Sequence, residues 1–275
     1  MTLEELNDLA PNEFAEALDG VFEHASWVAA AVAPYHPFTS SASLHATLMH
    51  VVQEAPEEQL LAFLRGHPEL TADKLSTDLT DASRAEQEGL AMHQAESAGA
   101  LPALNQAYRE RFGFPFIVCV TRHTAEDVLR NLHARILHEP CEERERALAE
   151  ISHITWLRLL VRLGGVPKFG YLSTHVLDTQ LGAPAAGLAL SLFQENQQVC
   201  KTVTDQDGRV GALLPAPLRQ GLYELVFDVG SYFAKRGIPT LYTLVPIRFM
   251  VTLPETNYHI PLLLSPYGYT TYQGS

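Results

Sequence analysis

The chain has 275 residues, of which 47% are hydrophobic and 19% charged, a composition typical of a soluble globular protein with room for two domains. Its formal net charge of −13 argues against nucleic acid or an anionic membrane as a partner, because both would repel it. The three cysteines, Cys119, Cys141 and Cys200, lack CxxC spacing and are odd in number, so they indicate neither a disulfide framework nor a zinc site.

Up to about residue 163, the apolar residues recur at helical spacing and glycine is sparse, which predicts an all-α domain. A first helix is predicted at 56–66, with acidic residues in its first turn and Gly66 as its stop. A capping-box pattern at Ser83 predicts the start of another. Further helices are predicted at 103–112, 125–138 and 142–163. The last of these is expected to bury a stripe formed by Ala147, Ile151, Ile154, Leu157 and Val161.

A glycine-rich segment, 164–170, ends this pattern. The predicted organisation is therefore a helical domain at 1–164, a linker at 165–170 and a second domain at 171–275. Short alternating runs in the second domain predict strands at 171–177, 188–194, 221–229, 246–253 and 258–264, with one short helix after Ser231. Tyr223, Leu225 and Phe227 share one strand face. Many short strands with little helix predict a β-sandwich.

Two segments of the second domain are unusual for a plain sandwich: LSTHVLDT at 172–179 and HIPLLLSPYGYTTYQGS at 259–275. Strand alternation points His175 and His259 away from their immediate neighbours, and each histidine therefore stands on a defined strand face. Arg209 follows a turn at Asp207-Gly208. Taken singly, such residues are more often structural or solvated than catalytic.

Together these segments, covering about 168–275, resemble the 5-hydroxyisourate hydrolase family of transthyretin-related proteins. The resemblance implies a transthyretin-like fold and a site formed by His175, Arg209, His259, Tyr272 and Ser275. Gln273 stands where the family pattern has arginine. Two imidazoles and a guanidinium supply a base and an anion stabiliser without metal, which is the chemistry that hydrolysis of an activated cyclic acyl group requires. Either histidine could be the base.

In the helical half, three side chains attract attention. His67 lies between a helix stop and a proline, where a loop role is the more common one. Glu86 is the third residue of the capping box, so a helix-capping role explains it equally well. Arg158 falls within the apolar stripe and needs a buried anion unless it snorkels to solvent, and Arg162 lies close to the same face.

This half, about 10–163, resembles the 2-oxo-4-hydroxy-4-carboxy-5-ureidoimidazoline (OHCU) decarboxylase family. The matching motifs are HPFTS at 36–40, GHPEL at 66–70, SRAEQ at 83–87, Tyr108, FGFPFI at 112–117 and WLRL at 156–159. The resemblance implies that His67 and Glu86 form an acid–base pair, with Pro68 beside them. It also implies that Arg158 holds substrate carboxylate or ureido oxygens, and that Phe116 and Ile117 border the substrate ring. Glu69 replaces the usual aspartate.

The two resemblances are chemically connected, because the hydrolase product is the decarboxylase substrate. They predict a bifunctional enzyme of urate breakdown that converts 5-hydroxyisourate to OHCU and then to (S)-allantoin, without metal or cofactor. The alternative is an active decarboxylase whose C-terminal module only binds ligand or oligomerises. A homo-oligomer, dimer or tetramer, is expected by analogy. The sequence shows no leader and no apolar run of about 20 residues, which predicts a cytoplasmic location.

Overall fold

The computed structural model describes residues 1–70, 98–214 and 217–274. The chain forms two compact units, Met1–Thr121 with Val128–Pro167, and Lys168–Ser275 with Arg122–Asp127. The first is helical and the second is built mainly from strands, which confirms the predicted fold class. The sequence pattern does not predict that Arg122–Asp127 belongs to the second unit. Within the described ranges, no helix is long and apolar enough to span a membrane.

The helical part is a series of short and medium helices. They are α1 Leu3–Asn7, α2 Pro11–Ala17, α3 Ser26–Val32, α4 Ser41–Gln53, α5 Glu57–Arg65, α6 Leu101–Phe112, α7 Ala125–Arg135 and α8 Pro140–Arg162. Single 3-10 turns lie at Ala33–Tyr35, Ala98–Ala100 and Val120–Arg122. Four of the predicted helices are found within a few residues of their expected bounds. The predicted helix that begins at Ser83 lies outside the described residues.

The buried face of α8 differs from the predicted stripe. Its buried residues are Glu143, Ala147, Glu150, Ile151, Thr155 and Leu159. Val161 is 61% exposed, so the prediction was wrong there, and Ile154 and Leu157 are only partly buried. The stripe follows a spacing of four residues and includes polar side chains that find buried partners. A prediction from apolar residues alone therefore misplaces it.

The buried segment Phe114–Cys119 has no regular secondary structure, so its backbone groups need partners from side chains. Arg135 Nη1 donates to the Ile117 carbonyl at 2.9 Å, and the Cys119 N–H donates to Glu150 Oε2 at 2.9 Å. Arg135 is itself held by Glu143, whose Oε1 accepts from Arg135 Nε at 2.9 Å and from Nη2 at 2.6 Å. The buried carboxylates of α8 thus fix this irregular segment.

The described residues of the second unit form ten strands in two sheets. They are β1 Leu172–Asp178, β2 Ala183–Pro184, β3 Ala189–Gln194, β4 Gln197–Val203, β5 Arg209–Val210, β6 Gly221–Phe227, β7 Val245–Val251, β8 Tyr258–His259, β9 Leu262–Ser265 and β10 Gly268–Thr271. One sheet has the order β10-β9-β1-β2, with β5 and β8 also paired to β1, and the other has the order β4-β3-β6-β7. The short helix α9, Val229–Ala234, begins two residues before Ser231, although it was expected only after that residue.

Alternation along the strands builds the core of the sandwich. Tyr223, Leu225 and Phe227 are fully buried on one face of β6, as predicted. Asp178, at the end of β1, is also fully buried. Its carboxylate accepts from Tyr232 Oη at 3.1 Å and from two turn N–H groups, so this part of the LSTHVLDT motif has a structural role.

Two differences from the predicted strands have clear causes. The predicted strand 258–264 is divided into β8 and β9 around Pro261, which has no N–H to donate to a ladder. Strand β4 is missing from the prediction because it is mostly exposed and shows little apolar alternation. It follows a two-residue turn at Glu195 and Asn196, both with positive φ, as tight hairpins require.

Candidate active sites

Strand pairing brings three predicted side chains of the second unit onto neighbouring strands. His175 of β1 lies opposite Arg209 of β5 in an antiparallel pair. On the parallel side of β1, Ser173 is the register partner of His259 in β8. Thr174 and Val176 are buried, and His175, on the opposite face, is half-buried. The three residues that the sequence proposes for one site therefore meet around β1.

The turn before β5 fixes the position of Arg209. Asp205 Oδ1 accepts from the Arg209 N–H at 2.8 Å and from the Asp207 N–H at 2.9 Å. Gly208 has φ +71, and a Cβ atom there would lie 2.4 Å from the Val176 carbonyl oxygen, so only glycine fits. The turn places an exposed, permanently charged guanidinium beside the half-buried histidine.

The two imidazoles have different surroundings. His259 Nδ1 lies 3.0 Å from Ser173 Oγ. Burial is the largest cause that lowers the pKa of His259, and the charges of Arg209 and His175 add to it. His259 is therefore neutral at pH 7 and able to accept a proton. His175 Nε2 is buried and has no hydrogen-bond partner in the described part of the chain.

The C-terminal segment reaches the same place. Strand β10 pairs with β9, and the Gly274 N–H then donates to the His259 carbonyl at 2.8 Å. A Cβ atom at Gly274 would lie 2.5 Å from His259 Cδ2, so this glycine permits the close approach of the tail. Tyr272 is 55% exposed and Gln273 is exposed. Ser275 lies outside the described residues.

In the first unit, His67 follows the end of α5 and is half-buried. Its Nδ1 donates to the Phe63 carbonyl at 3.0 Å, because a carbonyl oxygen can only accept, and its ring meets the Phe63 ring edge-on at 4.9 Å. Burial, the largest cause, lowers the pKa of His67 to about 4, opposed by the Phe63 bond and by Glu23. His67 is thus a neutral imidazole at pH 7, whose unprotonated nitrogen is Nε2.

Arg158 is paired with a buried anion, as its position in α8 requires. Its Nη1 lies 2.7 Å from Glu23 Oε2, with side-chain exposures of 9% for Arg158 and 1% for Glu23. Both charges act on the pKa of His67, in opposite directions. Arg162 is exposed and donates to the Asp19 carbonyl. The structure therefore associates Arg158, rather than Arg162, with His67.

Phe116 and Ile117, two other predicted residues of this unit, lie in the buried irregular segment. Phe116 and Ile117 are 2% and 4% exposed, and the Arg135 guanidinium lies 4.6 Å from the centre of the Phe116 ring. Phe116 is thus packed on at least one face, and its predicted contact with a substrate ring stays a prediction. Pro68 is half-buried next to His67. Glu86 lies outside the described residues.

Comparison with known proteins accounts for both arrangements. Residues 7–160 match the family model described as OHCU decarboxylase, and residues 172–274 match that of the HIUase/Transthyretin family. The chain belongs to both families. The resemblances on which the predicted sites depend are thereby confirmed, and the two units are hereafter called the decarboxylase-family unit and the hydrolase-family unit.

Individual relatives cover each unit almost completely. A 5-hydroxyisourate hydrolase 2 from Rhizobium meliloti (strain 1021) is 48% identical over 118 residues, which are 39% of this chain and 98% of that protein. An OHCU decarboxylase from Haloferax volcanii is 35% identical over 167 residues, 59% of this chain and 96% of that protein. The crystal structure of an (S)-allantoin synthase matches over 100% of both chains, with a TM-score of 0.55 and 32% identity. One solved structure therefore spans both families.

Two residues near these sites were not predicted from the sequence. Ser173 of the hydrolase-family unit lies in the LSTHVLDT motif, but a serine on a strand does not by itself indicate a functional role. Its role becomes apparent only from the strand register, which pairs it with His259. Glu23 of the decarboxylase-family unit lies outside every helix, in a segment that resembles a loop. The residue after it, His24, has φ +47, a conformation unusual for a non-glycine residue. The one indication of an acidic partner in the sequence was that Arg158, if buried, would need a buried anion.

Proposed function

We propose that this chain catalyses two consecutive steps of urate breakdown. The hydrolase-family unit opens 5-hydroxyisourate to OHCU, and the decarboxylase-family unit converts OHCU to (S)-allantoin. The proposal rests on one observation. Units of both families lie on one polypeptide, and the activities of these families share one intermediate. Both kinds of relative are named for these activities, and one solved relative that spans the whole chain is an (S)-allantoin synthase.

In the hydrolase-family unit, we assign the chemistry to His175, Arg209 and His259. A neutral imidazole takes a proton from water as the water attacks the acyl carbon, and the Arg209 guanidinium stabilises the developing oxyanion. Tyr272 and the terminal Ser275 complete the site in this proposal. The approach of the tail at Gly274 to His259 supports their inclusion.

In the decarboxylase-family unit, we assign substrate carboxylate binding to Arg158 and proton transfer to His67, with Glu86, Pro68, Phe116 and Ile117 as the further site residues. The electron pair left by CO₂ passes into the substrate's ring imine and carbonyl, so the protein needs to supply only position and a proton. A bound carboxylate offsets the Arg158 charge that lowers the pKa of His67. Substrate binding therefore favours uptake of the proton that His67 then delivers.

Freshly generated 5-hydroxyisourate, followed by ultraviolet absorbance and circular dichroism, tests both assignments. If the absorbance of 5-hydroxyisourate decays faster with the protein than in buffer, the protein catalyses hydrolysis. A growing circular dichroism signal of one allantoin enantiomer indicates decarboxylation. Decay at the buffer rate, with chiral product formed from supplied OHCU, would favour the alternative in which the C-terminal module only binds ligand or oligomerises.

Two further properties belong to the proposal. We place the enzyme in the cytoplasm, a reducing compartment, because its three widely spaced cysteines do not indicate a disulfide framework. We also expect a homo-oligomer formed through the hydrolase-family unit, whose surface carries large exposed apolar side chains such as Leu241, Tyr267 and Tyr269. Light scattering measures its mass, and a monomer at micromolar concentration would contradict this expectation.

A further inference from the structure

The hydroxyl of Ser173 is directed at one of the two candidate bases of the hydrolase-family unit. Ser173 and His259 are register partners in the parallel β1–β8 pair, and Ser173 Oγ lies 3.0 Å from His259 Nδ1. The residue is 8% exposed, so water competes little for this contact. We propose that Ser173 is a positioning residue that holds His259 as the tautomer with a bare Nε2, which makes His259 the base for hydrolysis.

The direction of the hydrogen bond follows from the second neighbour of Ser173. Its Oγ also lies 3.5 Å from the Tyr258 carbonyl oxygen, which can only accept. A serine hydroxyl has a single proton, so both contacts are hydrogen bonds only if that proton goes to the carbonyl. Oγ then accepts from His259 Nδ1–H, and the neutral ring keeps its free lone pair on Nε2.

The rest of the environment keeps the ring neutral and oriented. The charged and titratable groups that act on His259 are Arg209 from β5 and His175 from β1, and both disfavour the imidazolium form. On the ring edge away from Ser173, Gly274 approaches Cδ2 so closely that no side chain would fit there. Among the described residues, Ser173 supplies the hydrogen bond that selects a tautomer of His259, while the tail restricts rotation of the ring.

This arrangement deepens the proposed hydrolase function and depends on it. His259 Nε2 takes a proton from water while the water oxygen bonds to the ring carbonyl carbon, and the C=O electron pair moves to oxygen. When the tetrahedral adduct collapses, the ring C–N bond breaks, and the leaving nitrogen receives the proton from Nε2. Ser173 accepts from Nδ1–H throughout, and this bond strengthens while the ring is cationic.

The test replaces Ser173 by alanine in the full chain. The matched control is Thr174→Val, which removes a hydroxyl from the adjacent residue; that hydroxyl donates to the Ile260 carbonyl at 2.6 Å. We expect Ser173→Ala to lower kcat for 5-hydroxyisourate hydrolysis by roughly 10–100-fold with little change in KM, because binding groups are untouched. Thr174→Val keeps a kcat within about twofold of wild type, and both variants still decarboxylate supplied OHCU.

A second measurement separates this inference from the proposed function. Nitrogen-15 NMR of labelled histidine reports the tautomer of His259 whether or not the enzyme hydrolyses anything. We expect a single Nδ1–H tautomer in wild type and a mixture in Ser173→Ala. An Nε2–H tautomer in wild type, an unchanged kcat in Ser173→Ala, or an equal loss in Thr174→Val would each overturn the role of Ser173. An inactive wild type with the expected tautomer would instead refute the proposed hydrolysis and leave the contact established.

Discussion

Replacing His67 by glutamine tests whether the residue is both a catalytic group and a neutral imidazole with a lowered pKa. Glutamine keeps an amide that can donate to the Phe63 carbonyl but cannot relay a proton in the same way. We expect decarboxylation of OHCU to fall by roughly 10²–10⁴-fold, the usual contribution of general acid–base catalysis. Hydrolysis of 5-hydroxyisourate stays near the wild-type rate, because the hydrolysis is assigned to His175, Arg209 and His259.

The same substitution changes the pH dependence of stability by an amount that follows from the pKa. Histidine titrates at 6.5 ordinarily, and the folded chain holds the pKa of His67 at about 4. Between these values the unfolded chain binds a proton that the folded chain excludes. The free energy of unfolding therefore falls as pH drops below about 6.5 and stops falling, for this group, below about 4. The linkage relation gives a loss of about 2 kcal/mol at pH 5, against about 0.2 kcal/mol at pH 7.

Urea unfolding at pH 7 and pH 5, followed by helical circular dichroism, measures this loss. The difference between the two pH values should be smaller by about 2 kcal/mol in His67→Gln than in wild type. His133→Gln is the matched control, since His133 is exposed and its Nδ1 also donates to a carbonyl four residues earlier, that of Leu129, at 2.8 Å. An identical pH difference in His67→Gln and wild type would refute the lowered pKa of His67, and unchanged decarboxylation would refute its catalytic role.

Four further predictions separate the assigned roles. Glu86→Gln keeps a side chain that can cap a helix, so it should melt near the wild-type temperature yet lose decarboxylation if the carboxylate acts on His67; normal turnover would return Glu86 to a capping role. Arg158→Lys keeps a charge for Glu23 but loses the planar fork, and we expect a higher KM for OHCU with little change in melting, whereas an unchanged KM would exclude carboxylate binding. Deletion of residues 272–275 should abolish hydrolysis and spare decarboxylation of supplied OHCU, while Gln273→Arg should alter the KM of hydrolysis more than kcat. Hydrolysis by the truncated protein at the intact rate would remove the tail from the site.

Much of the fold was predictable, because its elements are locally encoded. Gly66 ends α5 where the sequence indicates, and the alternation of Tyr223, Leu225 and Phe227 predicts the buried face of β6. The predicted buried face was wrong where polar side chains are buried. Glu143 and Glu150 are fully buried in α8, a placement that hydrophobic periodicity cannot predict, since it depends on partners distant in sequence, Tyr108 and Cys119.

The same distinction applies to the sites. Motif resemblance identified His67, His175 and His259, because each lies in a short recognisable segment. It did not identify Ser173 or Glu23, whose significance depends on a strand register and on an ion pair that spans 135 residues. Long-range pairing is the part of the structure that one sequence does not reveal.

Burial is the largest cause that lowers the pKa of the candidate histidine in both units, but the neighbouring charges differ. In the decarboxylase-family unit, burial lowers the pKa of His67, while Glu23 and Arg158 act on it in opposite directions and are themselves joined. A substrate anion that engages Arg158 disturbs this balance, so the protonation of His67 responds to binding. In the hydrolase-family unit, Arg209 and His175 both oppose protonation of His259, and the hydrogen bond at Ser173 leaves its Nε2 bare before substrate arrives. Hydrolysis needs a base at the outset, and decarboxylation needs an acid only after CO₂ has left. The electrostatics of each unit suit the order in which its step uses the proton.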